Sequence, residues 1–153
     1  MDAQPQMNVV AEAPDRATLV KALRDLESTE ARVERNAQRV YDEARGKLIL
    51  DLLPVLDNLD RTIEAAQANR ENEALIQGTL MVRAQLETVL LRYGAERVDA
   101  AGRFDPALHE AIATTPVRDP TLHGTVIHQA QPAYWFAGKL LRPAQVTVGR
   151  WQS

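Results

Sequence analysis

The stretch that most constrains this 153-residue chain is Asp51-Leu52-Leu53-Pro54-Val55-Leu56-Asp57-Asn58-Leu59-Asp60-Arg61. A proline inside a helix removes a backbone donor and crowds the preceding turn. In a first turn the same residue is harmless, because that donor has no partner there. Residues 52–55 are therefore expected to form a joint, where one helix ends or kinks and a second begins. Apolar residues at 52, 56, 59, 63 and 66 continue at helical spacing, so the joint must pack against something large.

Upstream, Asp15 can cap a helix that runs to about residue 50, with no proline and no glycine before Gly46. Leu19, Leu23, Leu26, Val33, Ala37, Val40 and Ala44, with Glu30 filling the gap, alternate steps of four and three residues. That is a heptad seam, and a helix carrying it over this length would be roughly 50 Å long. The stripe is too narrow for a globular core, so its economical partner is a second copy of itself. The seam weakens in its second half. Glu30 interrupts it, and each buried alanine in place of leucine forfeits on the order of 2 kcal/mol. Gly46 adds a local cost of about 1 kcal/mol.

Downstream, residues 52–67 and 74–93 form a helical hairpin joined by the polar run Asn69-Arg70-Glu71-Asn72. Leu75, Ile76, Leu80, Val82, Leu86, Val89 and Leu90 cover a wide face of the second helix. One hairpin cannot bury both apolar faces, whereas two hairpins from two chains can, as a four-helix bundle. Gly94 is placed to end the helix in a left-handed conformation. From residue 95 the pattern changes to strands, at 96–100, 125–130, 134–137 and 139–148, with Ala137-Gly138 as a tight turn. The fold class is α+β. Its parts are a disordered tail (1–14), a coiled-coil helix (15–50), a hairpin (51–94) and a small β domain (95–153).

Net charge of −3 opposes nucleic acid as the main ligand, since phosphate binding needs concentrated basic surface. Cysteine is absent, so disulfides, thiolate metal sites and cysteine nucleophiles are excluded. No apolar run approaches the roughly 20 residues that span a bilayer, and the start of the chain lacks the pattern of a secretory signal. A cytoplasmic protein without membrane contact is expected.

Two further motifs join the first. The chain carries Gly102-Arg103-Phe104-Asp105-Pro106-Ala107-Leu108-His109-Glu110-Ala111-Ile112, and later Leu141-Arg142-Pro143-Ala144-Gln145-Val146-Thr147-Val148. Together with residues 51–61 they resemble, in order and spacing, the signatures of GrpE, the nucleotide exchange factors of DnaK-type chaperones. Gly78 falls where that family carries a glycine. The resemblance implies a homodimer with paired long helices, a four-helix bundle and one β domain per protomer. It implies binding to the chaperone's ATPase domain and release of ADP, with no cofactor, no metal, no small-molecule substrate and no enzymatic step. The departures are Glu30-Ala31-Arg32, where the family often has basic residues, and Ala133, where a glycine is usual.

The resemblance places partner contacts at Arg39, Arg61, Phe104, Pro106, Ala130, Lys139 and Val148. Each has a plainer account. Arg39, in line with Arg32 and Arg35, can pair with Glu43 on a solvated face, and Arg61 with Asp57 or Glu64. Asp105 and Pro106 read as the cap and first residue of a short helix behind Phe104. Asp105 and His109 would then share a helix face, but His123 and His128 complete no ligand spacing, so His109 is expected to be structural. Trp135 and Trp151 are expected to be partly buried packing residues, and an exposed Trp135 beside the hairpin would instead suggest an interface. The dimer seam is expected at Leu19, Leu23, Leu26, Val33, Val40, Leu56, Leu59, Ile63, Leu80 and Leu86. A coiled-coil scaffold without exchange activity would account for the long helix but not for the second and third motifs.

The weak half of the seam makes the long helix a candidate thermal switch. Replacing Ala37 and Ala44 with leucine should raise the first melting transition seen by circular dichroism. An unchanged transition would mean that the seam is not the weak element.

Overall fold

The computed structural model of the chain describes residues 12–70 and 72–152. The expected disordered tail lies outside them up to residue 11, as does Glu71 of the hairpin connection. The chain divides into two compact units, Met1–Tyr41 and Asp42–Ser153. In the first, the Asp15 carboxylate accepts from the Thr18 amide at 2.7 Å and the Asp15 carbonyl from the Leu19 amide at 3.1 Å. These bonds cap helix α1 (Arg16–Ala68) as expected, and the hydrogen bonds from Thr18 hold the Asp15 carboxyl below the usual carboxylate range. Leu19, Leu23, Leu26, Val33 and Val40 are all exposed in the single chain.

The expected joint does not end the helix. α1 continues through Pro54 to Ala68, although an interior proline costs about 3 kcal/mol. The compensation lies on either side of it. Leu53 and Leu56 are fully buried, and burying two leucines contributes about 3–6 kcal/mol. They belong to a stripe at Gly46, Ile49, Leu53 and Leu56 that packs, with Leu86 and Leu90, on Ala95, Tyr134, Phe136 and Leu141. Gly46, which looked like a flaw in the helix, has a packing reason. A β-carbon there would stand 3.3 Å from the Phe136 ring.

Helix α2 (Glu73–Arg92) starts where the Asn72 side chain accepts from the Ala74 amide at 2.9 Å. It gives way to Gly94, whose φ of 91° is the left-handed exit anticipated above. The β module follows as two three-stranded sheets. In one, β4 (Ala133–Phe136) lies between β1 (Ala95–Val98) and β5 (Lys139–Arg142), all antiparallel. Ala137 and Gly138, with φ of 49° and 74°, turn β4 into β5.

In the other sheet, β6 (Ala144–Trp151) pairs parallel with β2 (His109–Val117) and antiparallel with β3 (Val126–Gln131). Pro143 divides the single strand expected at 139–148, since it has no donor for a ladder. β2 was not anticipated, because Glu110 to Thr114 are exposed and show no alternation of apolar and polar residues. A second core of Ala100, Ala133, Ala144 and Val146 is closed by Val98, Phe104, Leu108, Val126, Leu140 and Val148. Gly149 is buried at its rim, where any β-carbon would overlap the Leu122 carbonyl oxygen.

One ion pair ties helix to sheet. Arg142 donates from Nη1 and Nη2 to the two oxygens of Asp57 at 2.6 and 2.7 Å, and from Nε to the Pro132 carbonyl at 3.1 Å. Its guanidinium stands 5.4 Å from the centre of the Tyr134 ring. The pair is nearly enclosed, with side-chain exposures of 10% and 15%. Removing one member of such a pair strands a charge at a cost of about 3–5 kcal/mol. Asp57→Ala should lose that much stability in urea unfolding. Adding Arg142→Met should recover a large part of it, and a double variant no better than the single would disprove the account.

Candidate docking site

The three motifs met in the sequence form one body. Asp57 of the first meets Arg142 of the third, while Phe104 and Leu108 of the second pack in the same cluster as Val146 and Val148 of the third. The short helix expected after Asp105 is a hydrogen-bonded turn. The Asp105 carbonyl accepts from Leu108 and His109, its carboxylate accepts from the Ala107 amide, and β2 starts at once. Asp105 and His109 therefore share no helix face. Among the described residues no group of three or more metal-ligating side chains is placed to hold an ion.

The residues expected to meet a partner fall into two kinds. Arg39, Arg61, Pro106, Ala130 and Lys139 are exposed. Phe104 and Val148 are half-buried against the second core. Arg39 belongs to the first compact unit and the other six to the second. The structure brings Phe104 and Val148 into one cluster, with Pro106 in the adjoining turn. Lys139 stands instead beside the β4–β5 turn, opposite Phe136. Arg61 donates to Asn58 Oδ1, not to Asp57 or Glu64. Asp57 is already occupied by Arg142.

Both tryptophans are only partly covered, with Trp135 39% and Trp151 45% exposed. Ile127 and Leu122 are exposed as well, on either side of buried Gly149. Ile127 lies at an irregularity of the ladder between β3 and β6, between the pairs Val126 to Val148 and His128 to Thr147, where strand alternation does not fix its direction.

Part of the expected dimer seam is consumed within the protomer. Leu56 and Ile63 are buried, and Leu56 and Leu86 belong to the cluster that packs against Ala95, Tyr134 and Phe136 of the β module. Leu59 and Leu80 are half-buried. Exposed apolar positions here include Leu48 and Val55 on α1, and Leu75, Val82 and Val89 on α2, each series at seven-residue spacing, beside Leu50, Met81 and Leu91, which fall outside those series.

Behind this surface lies an ion network. Arg83 donates to Asp60 and Glu87 at 2.6 Å each, and Arg97 donates to Asp99 at 2.8 Å. The Asp60 hydrogen bond raises the Arg83 pKa, and the Arg97 hydrogen bond lowers that of Asp99. Arg97 also stands 3.7 Å from Asp60 and 3.9 Å from Glu87, so α1, α2 and β1 meet here.

This order of parts, with long helix, second helix and β-sheet module, defines an α+β protein. A sequence profile of the GrpE family matches residues 10–150. Protein GrpE of Helicobacter hepaticus is 34% identical over 129 residues, covering 84% of this chain and 69% of its own length. Protein GrpE of Nitratidesulfovibrio vulgaris is 38% identical over 133 residues, covering 86% and 69%. The mitochondrial GrpE protein homolog of Eremothecium gossypii is 36% identical over 136 residues, covering 85% and 64%. The chain thus spans about two thirds of the length of these relatives, and it belongs to the GrpE family. Among the described residues no helix is long and apolar enough to cross a membrane.

Tyr134, between the two ion clusters, is buried, and its hydroxyl has no hydrogen-bond partner among the described residues. Burial pushes its pKa up to about 12. As pH rises from the ordinary tyrosine value near 10, the unfolded chain releases this proton while the folded chain keeps it, so stability falls across that window. Tyr134→Phe should flatten the loss between about pH 9 and about pH 11 in urea unfolding, and change stability little at neutral pH. An equal loss in both proteins would rule the tyrosine out.

Proposed function

We propose that this chain is a homodimeric nucleotide exchange cochaperone, which grips the ATPase domain of a DnaK-type chaperone through its β module and releases ADP. The observation that carries the reading is the union of the three motifs, Asp57 to Arg142 and Phe104 to Val148, in a chain that belongs to the GrpE family. The action is linkage, not chemistry. A protein that binds the open nucleotide cleft more tightly than the closed one weakens ADP by the same factor. No bond is made or broken, and the chain works in the cytoplasm as a cochaperone, not an enzyme.

The contact set is Arg39, Arg61, Phe104, Pro106, Ala130, Lys139 and Val148, to which we add Trp135, next along β4 to the residue paired with Lys139. Exposed aromatics serve as anchors in interfaces. The homodimer is supported by the unpartnered apolar positions of both helices, Leu19 to Val40, Leu48 and Val55, and Leu75 to Val89. The seven-residue spacing suits a second copy, with Leu48 and Val55 taking the place first given to Leu56 and Ile63.

The test is release of fluorescent ADP from a DnaK-type chaperone. The wild-type chain should accelerate it, and the exposed-site variants Arg61→Ala and Lys139→Ala should each raise the half-saturating concentration about tenfold, for the loss of roughly 1.4 kcal/mol of binding. Phe104→Ala should do the same, but it also removes core packing, so its unfolding transition must be measured beside it. An intact dimer that accelerates nothing would leave the scaffold reading.

A further inference from the structure

Residues 104–109 are tied down at both ends, and the turn between them is closed by bonds to the Asp105 carbonyl and carboxylate. The Phe104 amide donates to the Gly124 carbonyl at 2.9 Å, and the Leu108 carbonyl accepts from the Ala144 amide at 3.0 Å. Between these anchors, Pro106 has no donor, and the Asp105 amide is the backbone donor that adjoins Phe104. That amide donates to Nδ1 of His109 at 2.9 Å, while the His109 amide donates back to the Asp105 carbonyl at 2.7 Å. The imidazole thus closes a ring around the residue that separates Phe104 from Pro106. It also lies 5.8 Å from the Phe104 ring at a 45° tilt.

The side chain does this at a cost. A neutral imidazole that accepts at Nδ1 carries its proton on Nε2. His109 is 5% exposed, and its Nε2 is enclosed with no hydrogen-bond partner among the described residues. A buried unpaired donor is destabilising. An apolar side chain of similar size would fill the space without stranding one. What histidine adds at this position is the acceptor at Nδ1.

We propose that His109 is a positioning residue for partner docking: its Nδ1 holds the Asp105 amide and so fixes Phe104 and Pro106 in the arrangement that the partner meets. The inference rests on the docking role given to Phe104 and Pro106 above. With the acceptor gone, the Asp105 amide is freed to turn toward water, and the peptide carrying Phe104 and Pro106 turns with it. Docking then requires the turn to be ordered first, which weakens binding without altering the docked complex.

Substitution can separate acceptor from bulk. His109→Asn places an oxygen near the position of Nδ1, His109→Gln carries its oxygen further out, near Nε2, and His109→Leu supplies volume alone. Two quantities decide the matter in the full chain, namely hydrogen-exchange protection of the Asp105 amide and the half-saturating concentration for ADP release from the chaperone. His109→Asn should keep both near wild type. His109→Gln and His109→Leu should lose the protection and raise the half-saturating concentration about tenfold with the maximal rate unchanged, the reach expected for one unsatisfied buried group. Protection retained in His109→Leu would overturn the proposal, and so would protection lost with unchanged half-saturation. Should the variants fail to fold, imidazole nitrogen shifts in the wild-type protein still decide, because a proton on Nδ1 excludes the bond. A wild-type chain that does not accelerate release would instead refute the exchange reading.

Discussion

The bidentate bridge between Asp57 and Arg142 is the interaction on which the second compact unit depends. It joins residues 85 positions apart in sequence, one on a helix and one at the end of a strand. A bridge this enclosed is weak evidence for net stability, since two charges must be desolvated to form it. Its contribution is register. The Arg142 guanidinium spans Asp57, the Pro132 carbonyl and the face of Tyr134, and a planar fork satisfies such a set in one orientation only. Moving α1 along or around its axis by one residue would break the bridge and would also carry Gly46 out from under Phe136.

That constraint explains features that otherwise look like defects. Pro54 stays within α1 because Leu53 and Leu56 are buried on the face that the bridge holds against the sheet. Gly46 is where the Phe136 ring needs room. The Arg45 guanidinium lies 5.5 Å from the centre of that same ring and donates to the Tyr93 carbonyl at the end of α2. Proline and glycine each cost the isolated helix something, and both are placed by the β module and not by helix propensity.

Sequence periodicity was therefore informative for elements and poor for faces. The cap at Asp15, the exit at Gly94 and the turn at Ala137-Gly138 were legible because local chemistry decides them. Leu56 and Ile63 were assigned to a second chain because one-dimensional spacing cannot say which of two neighbours covers a stripe. β2 escaped notice for a related reason. An edge strand exposed on Glu110 to Thr114 carries no burial pattern, and only its parallel pairing with β6 defines it. Asp105-Pro106 carried a true capping signal, since Asp105 does accept from the Ala107 amide. The chain then turns once and extends, because His109 pairs with Ala144 at the start of a ladder. The exposure of Trp135 had no sequence counterpart at all.

A cochaperone that opens a cleft needs a stiff body more than a reactive group. Whatever free energy is gained by gripping the partner is shared between moving the partner and deforming the gripping protein, and the softer joint yields first. Allosteric couplings commonly amount to about 1–3 kcal/mol. Removing Asp57 or Arg142 alone would strand the other charge at a cost of about 3–5 kcal/mol, beside any loss of the apolar contacts around Tyr134 and Phe136. At the periphery, in the turn around Asp105 and Pro106, the imidazole nitrogen of His109 adds a restraint to those the backbone makes.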